Sequence, residues 1–239
     1  MTDPMVVVYR DAALVASATA ARLITAVTDL QAARRPVSIA LTGGRTGTAV
    51  LEQIRASPAG AAVDWSTVDF YWGDERFLPG GDPERNETQA RAALLDHIPV
   101  TESRVHPIPA SDGEFGDDPD AAAKAYADRI AGVTLDILLA GVGEEGHTLS
   151  VFPDSPAVHD SRATVIAVRD CPKPPPTRVS LTLAAARKAT QTWLITAGES
   201  KAEAVTAALS DAAETDIPAA GLRGRQATLW LLDKAAAGR

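Results

Sequence analysis

His147 is the side chain here best suited to move a proton near neutrality, since free imidazole titrates at about pH 6.5. It stands in Gly141-Val142-Gly143-Glu144-Glu145-Gly146-His147-Thr148, where two carboxylates and three glycines surround it. Glycines at such a turn let backbone amides approach a ligand closely. A second glycine loop, Thr42-Gly43-Gly44-Arg45-Thr46-Gly47, offers N–H groups of the kind that hold an anion where a strand runs into a helix. Asp74-Glu75-Arg76 adds a guanidinium suited to bidentate contact with an oxyanion. Lys201, in Gly198-Glu199-Ser200-Lys201, sits near an expected helix start, where a cation opposes the helix dipole and a ligand role is favoured. Each piece also has a plainer reading: a strand-to-helix turn, a solvated charged rim, a surface lysine.

These pieces need a scaffold that brings strand ends together. Leu135–Ala140 is, apart from Asp136, an apolar run, as in a central strand covered on both faces, and it feeds directly into the histidine turn. Met5–Tyr9, Val37–Leu41, Val68–Trp72, Val165–Val168, Gln191–Thr196 and Ala227–Leu232 read as further strands. Between them lie helical patterns: Asp11 capping a helix to about Ala33, a helix after the glycine loop to about Arg55, Asn86 capping one to about Leu95, and Pro119 opening one to about Ala131. A short strand is expected near Val105–Ile108, and Cys171-Pro172-Lys173-Pro174-Pro175-Pro176 reads as a stiff extended connector. Alternation of this kind predicts a Rossmann-like α/β fold, a mostly parallel central sheet flanked by helices, with residues 1–239 as a single domain. Ligands in such sheets sit beyond the carboxyl ends of the strands, so Gly43, Asp74, His147 and Lys201 are expected at one edge.

Of 239 residues, 46% are hydrophobic and 23% charged, ample for a buried core. The formal charge of −8, without a block of Lys or Arg, argues against nucleic acid or an anionic membrane as partner. No leader pattern and no apolar run of about 18 residues is expected to span a bilayer. The one cysteine, Cys171, excludes an internal disulfide and fits a cytoplasmic protein. His97, His106, His147 and His159 show no metal-ligand spacing, so no metal and no cofactor are expected. No G-x-S-x-G elbow is present for a serine nucleophile. A monomer is the working expectation.

Gly141 to Pro153 resembles the G-x-G-x-D-G-H-x-x-S-x-F-P segment of the 6-phosphogluconolactonases, within the superfamily that also holds glucosamine-6-phosphate isomerases. Three further segments follow the same family: Thr42–Thr48, the Asp74-Glu75-Arg76 triplet with Asn86, and Arg178-Val179-Ser180-Leu181-Thr182 with Gly198–Lys201. Glu145 stands where the family has aspartate, Arg45 replaces a serine, Gly47 a proline, and Arg85 the serine before Asn86. The resemblance implies hydrolysis of a phosphorylated sugar lactone, 6-phospho-D-glucono-1,5-lactone, as the second step of the oxidative pentose phosphate route. It implies His147 as general base and Arg76 as a catalytic partner. Gly43, Gly44, Arg45, Asp74, Asn86, Glu145 and Gly146 would line the substrate, and Arg178 and Lys201 would hold the 6-phosphate. Two alternatives stay open: a glucosamine-6-phosphate isomerase/deaminase, and a non-catalytic sugar-phosphate-binding domain. The deaminases continue past the histidine into a Phe-Asn-Glu-Pro run, whereas this chain reads Leu149-Ser150-Val151-Phe152-Pro153. The sensor domains carry an attached helix-turn-helix, for which Met1–Tyr9 leaves no room.

Overall fold

The computed structural model describes residues 3–210 and 212–239. In chain order the elements are β1 (Met5–Tyr9), α1 (Ala12–Ala33), β2 (Val37–Leu41), α2 (Gly44–Ala56), β3 (Val68–Trp72), β4 (Asp74–Arg76), α3 (Asn86–Ala93) and α4 (Pro119–Arg129). They continue with β5 (Ile137–Ala140), α5 (Pro156–His159), β6 (Val165–Val168), β7 (Arg178–Leu181), α6 (Leu183–Ala186), β8 (Gln191–Thr196), α7 (Ala202–Leu209) and β9 (Ala227–Asp233). Single 3₁₀ turns fill several of the connections.

Six strands form one sheet in the order β1-β9-β8-β5-β2-β3, every pairing parallel. Parallel strands are covered on both faces, and β5 accordingly buries all four of its residues, as its unbroken apolar sequence demands. From β2 the chain moves outward to β3 and then returns to place β5 on the other side of β2. The order therefore reverses between β2 and β5, and in open α/β sheets such a switch point opens a crevice at the carboxyl ends.

The expected α/β fold is present, with an addition. A second sheet, β4-β7-β6, is antiparallel and sits across the carboxyl end of the first. Gly73 joins the two: its N–H donates to Leu41 O at 3.2 Å, and its carbonyl accepts from Leu181 N at 2.9 Å. The Tyr126 hydroxyl, buried on α4, pins the end of β3 by donating to Trp72 O and accepting from Trp72 N, both at 2.9 Å. The short strand expected near Val105–Ile108 reduces to a single bridge between Val105 and Phe70.

Helix α1 runs for 22 residues and is apolar enough to meet the length and composition of a membrane span. Here it turns Val15, Leu23, Ile24 and Val27 into the core and packs against α2 and β9. Its N-terminus is capped as expected, with Asp11 accepting from Leu14 N at 2.9 Å. Helix α3 departs from expectation. Asn86 is its first helical residue rather than its cap, and the orphan amides of Asn86 and Glu87 are taken by the Glu75 carboxylate at 2.6 and 2.8 Å. Arg85, where the family has serine, is wholly buried and donates to the carbonyls of Leu78 and Ile108.

Candidate active site

At the switch point a cavity of about 170 Å³ is lined by Gly43, Gly44, Asp74, Arg76, Asn86, Gly143, His147, Arg178 and Lys201, among others. Residues from six separate stretches of sequence thus meet beyond the ends of β2, β3 and β5. A larger adjoining space of about 620 Å³ shares the glycine loop and Lys201 and extends past Arg45 toward α1. Glu145 stands behind His147 and does not line the smaller cavity; Gly146 lies further back, packed on Ile217, its N–H donating to Gly143 O at 3.1 Å.

The histidine turn is built so that the ring lies flat over backbone. A Cβ on Gly143 would overlap Nδ1 and Cε1 of His147, so only glycine leaves room for the imidazole. The Gly143 N–H donates to His147 O at 2.8 Å and closes the turn. On its other side the ring meets Phe152, centroids 4.4 Å apart and planes tilted by 31°. Nδ1 is buried and lies 3.2 Å from Glu145 Oε1, off the direction of an aligned hydrogen bond. That leaves Nε2 as the nitrogen able to meet a water in the cavity.

Burial works to raise the Glu145 carboxyl, but contacts with His147 and Lys173 outweigh it and hold it well below the usual carboxylate range. Lys173 donates to Glu145 Oε2 at 2.8 Å. The longer glutamate still reaches the imidazole, so the charge expected there is kept.

Opposite stands the second sheet. Asp74 is buried, accepts the Ser150 hydroxyl at 2.6 Å on Oδ2, and offers its carbonyl to Asn86 Nδ2 at 2.8 Å. Asn86 Oδ1 is buried without a protein donor among the described residues and lies over Gly43, where any Cβ would collide with it. Arg76 reaches the cavity while donating to the carbonyl of Glu84.

The cations come from β7 and from the turn before α7. Arg178 lies over the Phe152 ring at 5.7 Å, and its guanidinium donates to the carbonyls of Lys173, Pro174 and Pro175. Lys201 follows a turn held by Asp233, which accepts from Gly198 N at 3.0 Å; its ammonium is 3.6 Å from Glu144. Gly43 caps α2 beside them without a side chain to block its amides. An imidazole, three cations and a helix N-terminus around one small cavity suit attack by water on an anionic substrate.

The sequence pattern of the family described as Glucosamine-6-phosphate isomerases/6-phosphogluconolactonase matches residues 10–230. The chain belongs to this family. A 6-phosphogluconolactonase of Streptomyces coelicolor is 54% identical across 99% of this chain and 95% of its own length. Its counterpart in Mycobacterium tuberculosis is 45% identical across 97% and 96%. The solved structure of 6-phosphogluconolactonase from Trypanosoma cruzi superposes with a TM-score of 0.88 at 25% identity, covering 99% of this chain and 97% of that one.

Sequence reasoning missed Ser150 and Lys173 as site-building residues, and read Gly143 as a glycine of the turn without its role of making room for the imidazole. Ser150 lies between Gly141 and Pro153, where its spacing from His147 was the available signal. Lys173 interrupts a run of prolines five residues before Arg178, and that charged break was the available signal.

Proposed function

We propose that this chain hydrolyses 6-phospho-D-glucono-1,5-lactone to 6-phospho-D-gluconate, with His147 activating the water. The observation that carries the reading is the convergence of His147, Arg76, Arg178 and Lys201 on one cavity at the switch point of an acidic chain. Full-length identity to 6-phosphogluconolactonases supports the same substrate.

In this mechanism neutral His147 takes a proton from water at Nε2 as the oxygen adds to the lactone carbonyl carbon. Glu145 stabilises the imidazolium that forms. Arg76 and the Gly43–Gly44 amides meet the developing oxyanion, which is the larger electrostatic contribution in acyl transfer. Collapse breaks the bond to the ring oxygen, and His147 returns its proton to that leaving oxygen. Arg178 and Lys201, aided by the start of α2, hold the phosphate, while Asp74 and Asn86 accept from sugar hydroxyls. The enzyme would act in the cytoplasm as a monomer and one domain, on a free sugar phosphate and without a cofactor.

The test is a lactone-hydrolysis assay run beside an ammonia-release assay on glucosamine-6-phosphate, with spontaneous lactone opening subtracted. Hydrolysis above background without ammonia is expected. Ammonia release without lactonase activity would put the chain among the deaminases instead.

A further inference from the structure

Lys173 occupies an unusual position between two parts of the site. Its ammonium donates to Glu145 Oε2 at 2.8 Å, and Glu145 presents its other oxygen to His147 Nδ1 at 3.2 Å. Its main-chain carbonyl accepts from Arg178 Nη2 at 3.1 Å. One residue of a proline-rich connector therefore touches both arms of the machinery, through two different groups.

We propose that Lys173 is a positioning residue: its ammonium fixes Glu145 against the imidazole of His147, and its carbonyl fixes the guanidinium of Arg178. The inference rests on His147 as the base. A half-exposed ion pair contributes little to stability by itself. Here its effect is geometric, because Glu145 is one methylene longer than the family's aspartate and has more rotamers from which to approach the ring. The prolines on either side of Lys173 limit its backbone freedom, so both contacts share one stiff support. Other charges face the same turn. Glu144 lies on it with Lys201 at 3.6 Å, Arg178 reaches Phe152 from β7, and Asp74 and Arg76 line the cavity from β4.

The two contacts make separable predictions, because a side-chain substitution leaves the carbonyl in place. Lys173→Met is expected to lower kcat on the order of tenfold, as for side chains sharing one ion-pair network, while KM stays within about twofold. Lys173→Arg should recover most of kcat. In a Glu145→Gln background Lys173→Met should cost less than about twofold, since the ammonium then has no carboxylate to hold. The acid limb of kcat should move to higher pH in Lys173→Met, because the Glu145 charge then acts on His147 alone. ¹⁵N spectra of the imidazole give a reading independent of turnover, with Lys173→Met and Glu145→Gln both expected to move the Nδ1 signal. Equal kcat losses in both backgrounds, a KM rise with kcat unchanged, or an Nδ1 signal untouched by Lys173→Met would overturn the proposal. Failure of the base reading is distinct: it appears as near-full kcat in His147→Asn, whatever Lys173 does.

Discussion

The Ser150 hydroxyl donates to the Asp74 carboxylate at 2.6 Å, joining the turn after His147 to the start of β4 across 76 residues of sequence. Both side chains are buried, so the bond fixes one wall of the cavity relative to His147. Ser150→Ala should destabilise the protein by about 1.5–3 kcal/mol, the cost of stripping a buried charged acceptor of its donor. KM should rise as Asp74 loses its fixed orientation. Urea unfolding and steady-state kinetics on the same preparation check both, and unchanged values in each would show that the bond is dispensable.

Gly143→Ala places a methyl group where the imidazole lies. The ring must swing off Phe152 or the turn must open, and either motion moves Nε2 by more than catalysis tolerates. The expected outcome is a kcat lowered by about 10²-fold or more in a protein that still folds. Circular dichroism beside the lactonase assay separates the two effects; full kcat in the alanine variant would contradict the packing described.

Regular strands were legible from sequence because each is a short run rich in apolar and β-branched or aromatic residues: Met5–Tyr9, Val37–Leu41, Val68–Trp72, Val165–Val168 and Gln191–Thr196 begin and end where expected, although Met5–Tyr9 at the sheet edge is not buried. The second sheet was not. Its strand β4 is the charged triplet Asp74–Arg76, which has no apolar period and is held by backbone pairing to β7, about a hundred residues later. The cap of α3 escaped for a similar reason. Asn86 had the right residue type, but the donors are met by Glu75, a carboxylate 11 residues away that only the fold brings near. Site residues inside contiguous glycine turns could be read, whereas a partner such as Lys173 is defined by a contact across 28 residues.

Glu75 offers a test of that capping role through pH. Burial pushes its carboxyl from an ordinary value of 4.5 up to about 7, with Arg85 and the N–H groups of Glu87, Asn86 and Arg76 pulling the other way. In that window the folded chain binds more protons than the unfolded one, so the stability Glu75 contributes is full below 4.5 and is lost as pH rises through about 7. Glu75→Gln lacks this dependence. The stability of wild type relative to Glu75→Gln, from urea titrations, should fall by up to about 3 kcal/mol across the window. A difference independent of pH would mean that Glu75 is ionised throughout.

Arg178 and Lys201 are expected to hold the phosphate. Replacing Lys201 with Ala removes one charged hydrogen bond, about 1.5–3 kcal/mol, and should raise KM by about 10- to 150-fold. Arg178→Ala should do the same and also cost stability, since three connector carbonyls lose their donor. The comparison to make is with the unphosphorylated lactone, against which both variants should resemble wild type. An unchanged KM for the phosphorylated lactone in both would remove them from the phosphate site.

His147 carries the strongest expectation. Its Nδ1 faces Glu145 and its Nε2 is left for the cavity, so in the proposed mechanism the proton would be taken on that nitrogen alone. His147→Asn keeps a hydrogen-bonding side chain of similar reach and should not disturb the Gly143 turn, where the imidazole itself filled the space. Loss of a positioned base lowers kcat by about 10²–10⁴-fold. Product binding by calorimetry should be nearly unchanged, because Arg178 and Lys201 remain. The lactone opens without enzyme, so each rate must be taken after subtraction of that background. Should the Asn variant fold, bind product normally and keep near-full kcat, the proton acceptor must be sought among the carboxylates, first Asp74, which lines the facing wall, and then Glu145, which stands behind the ring.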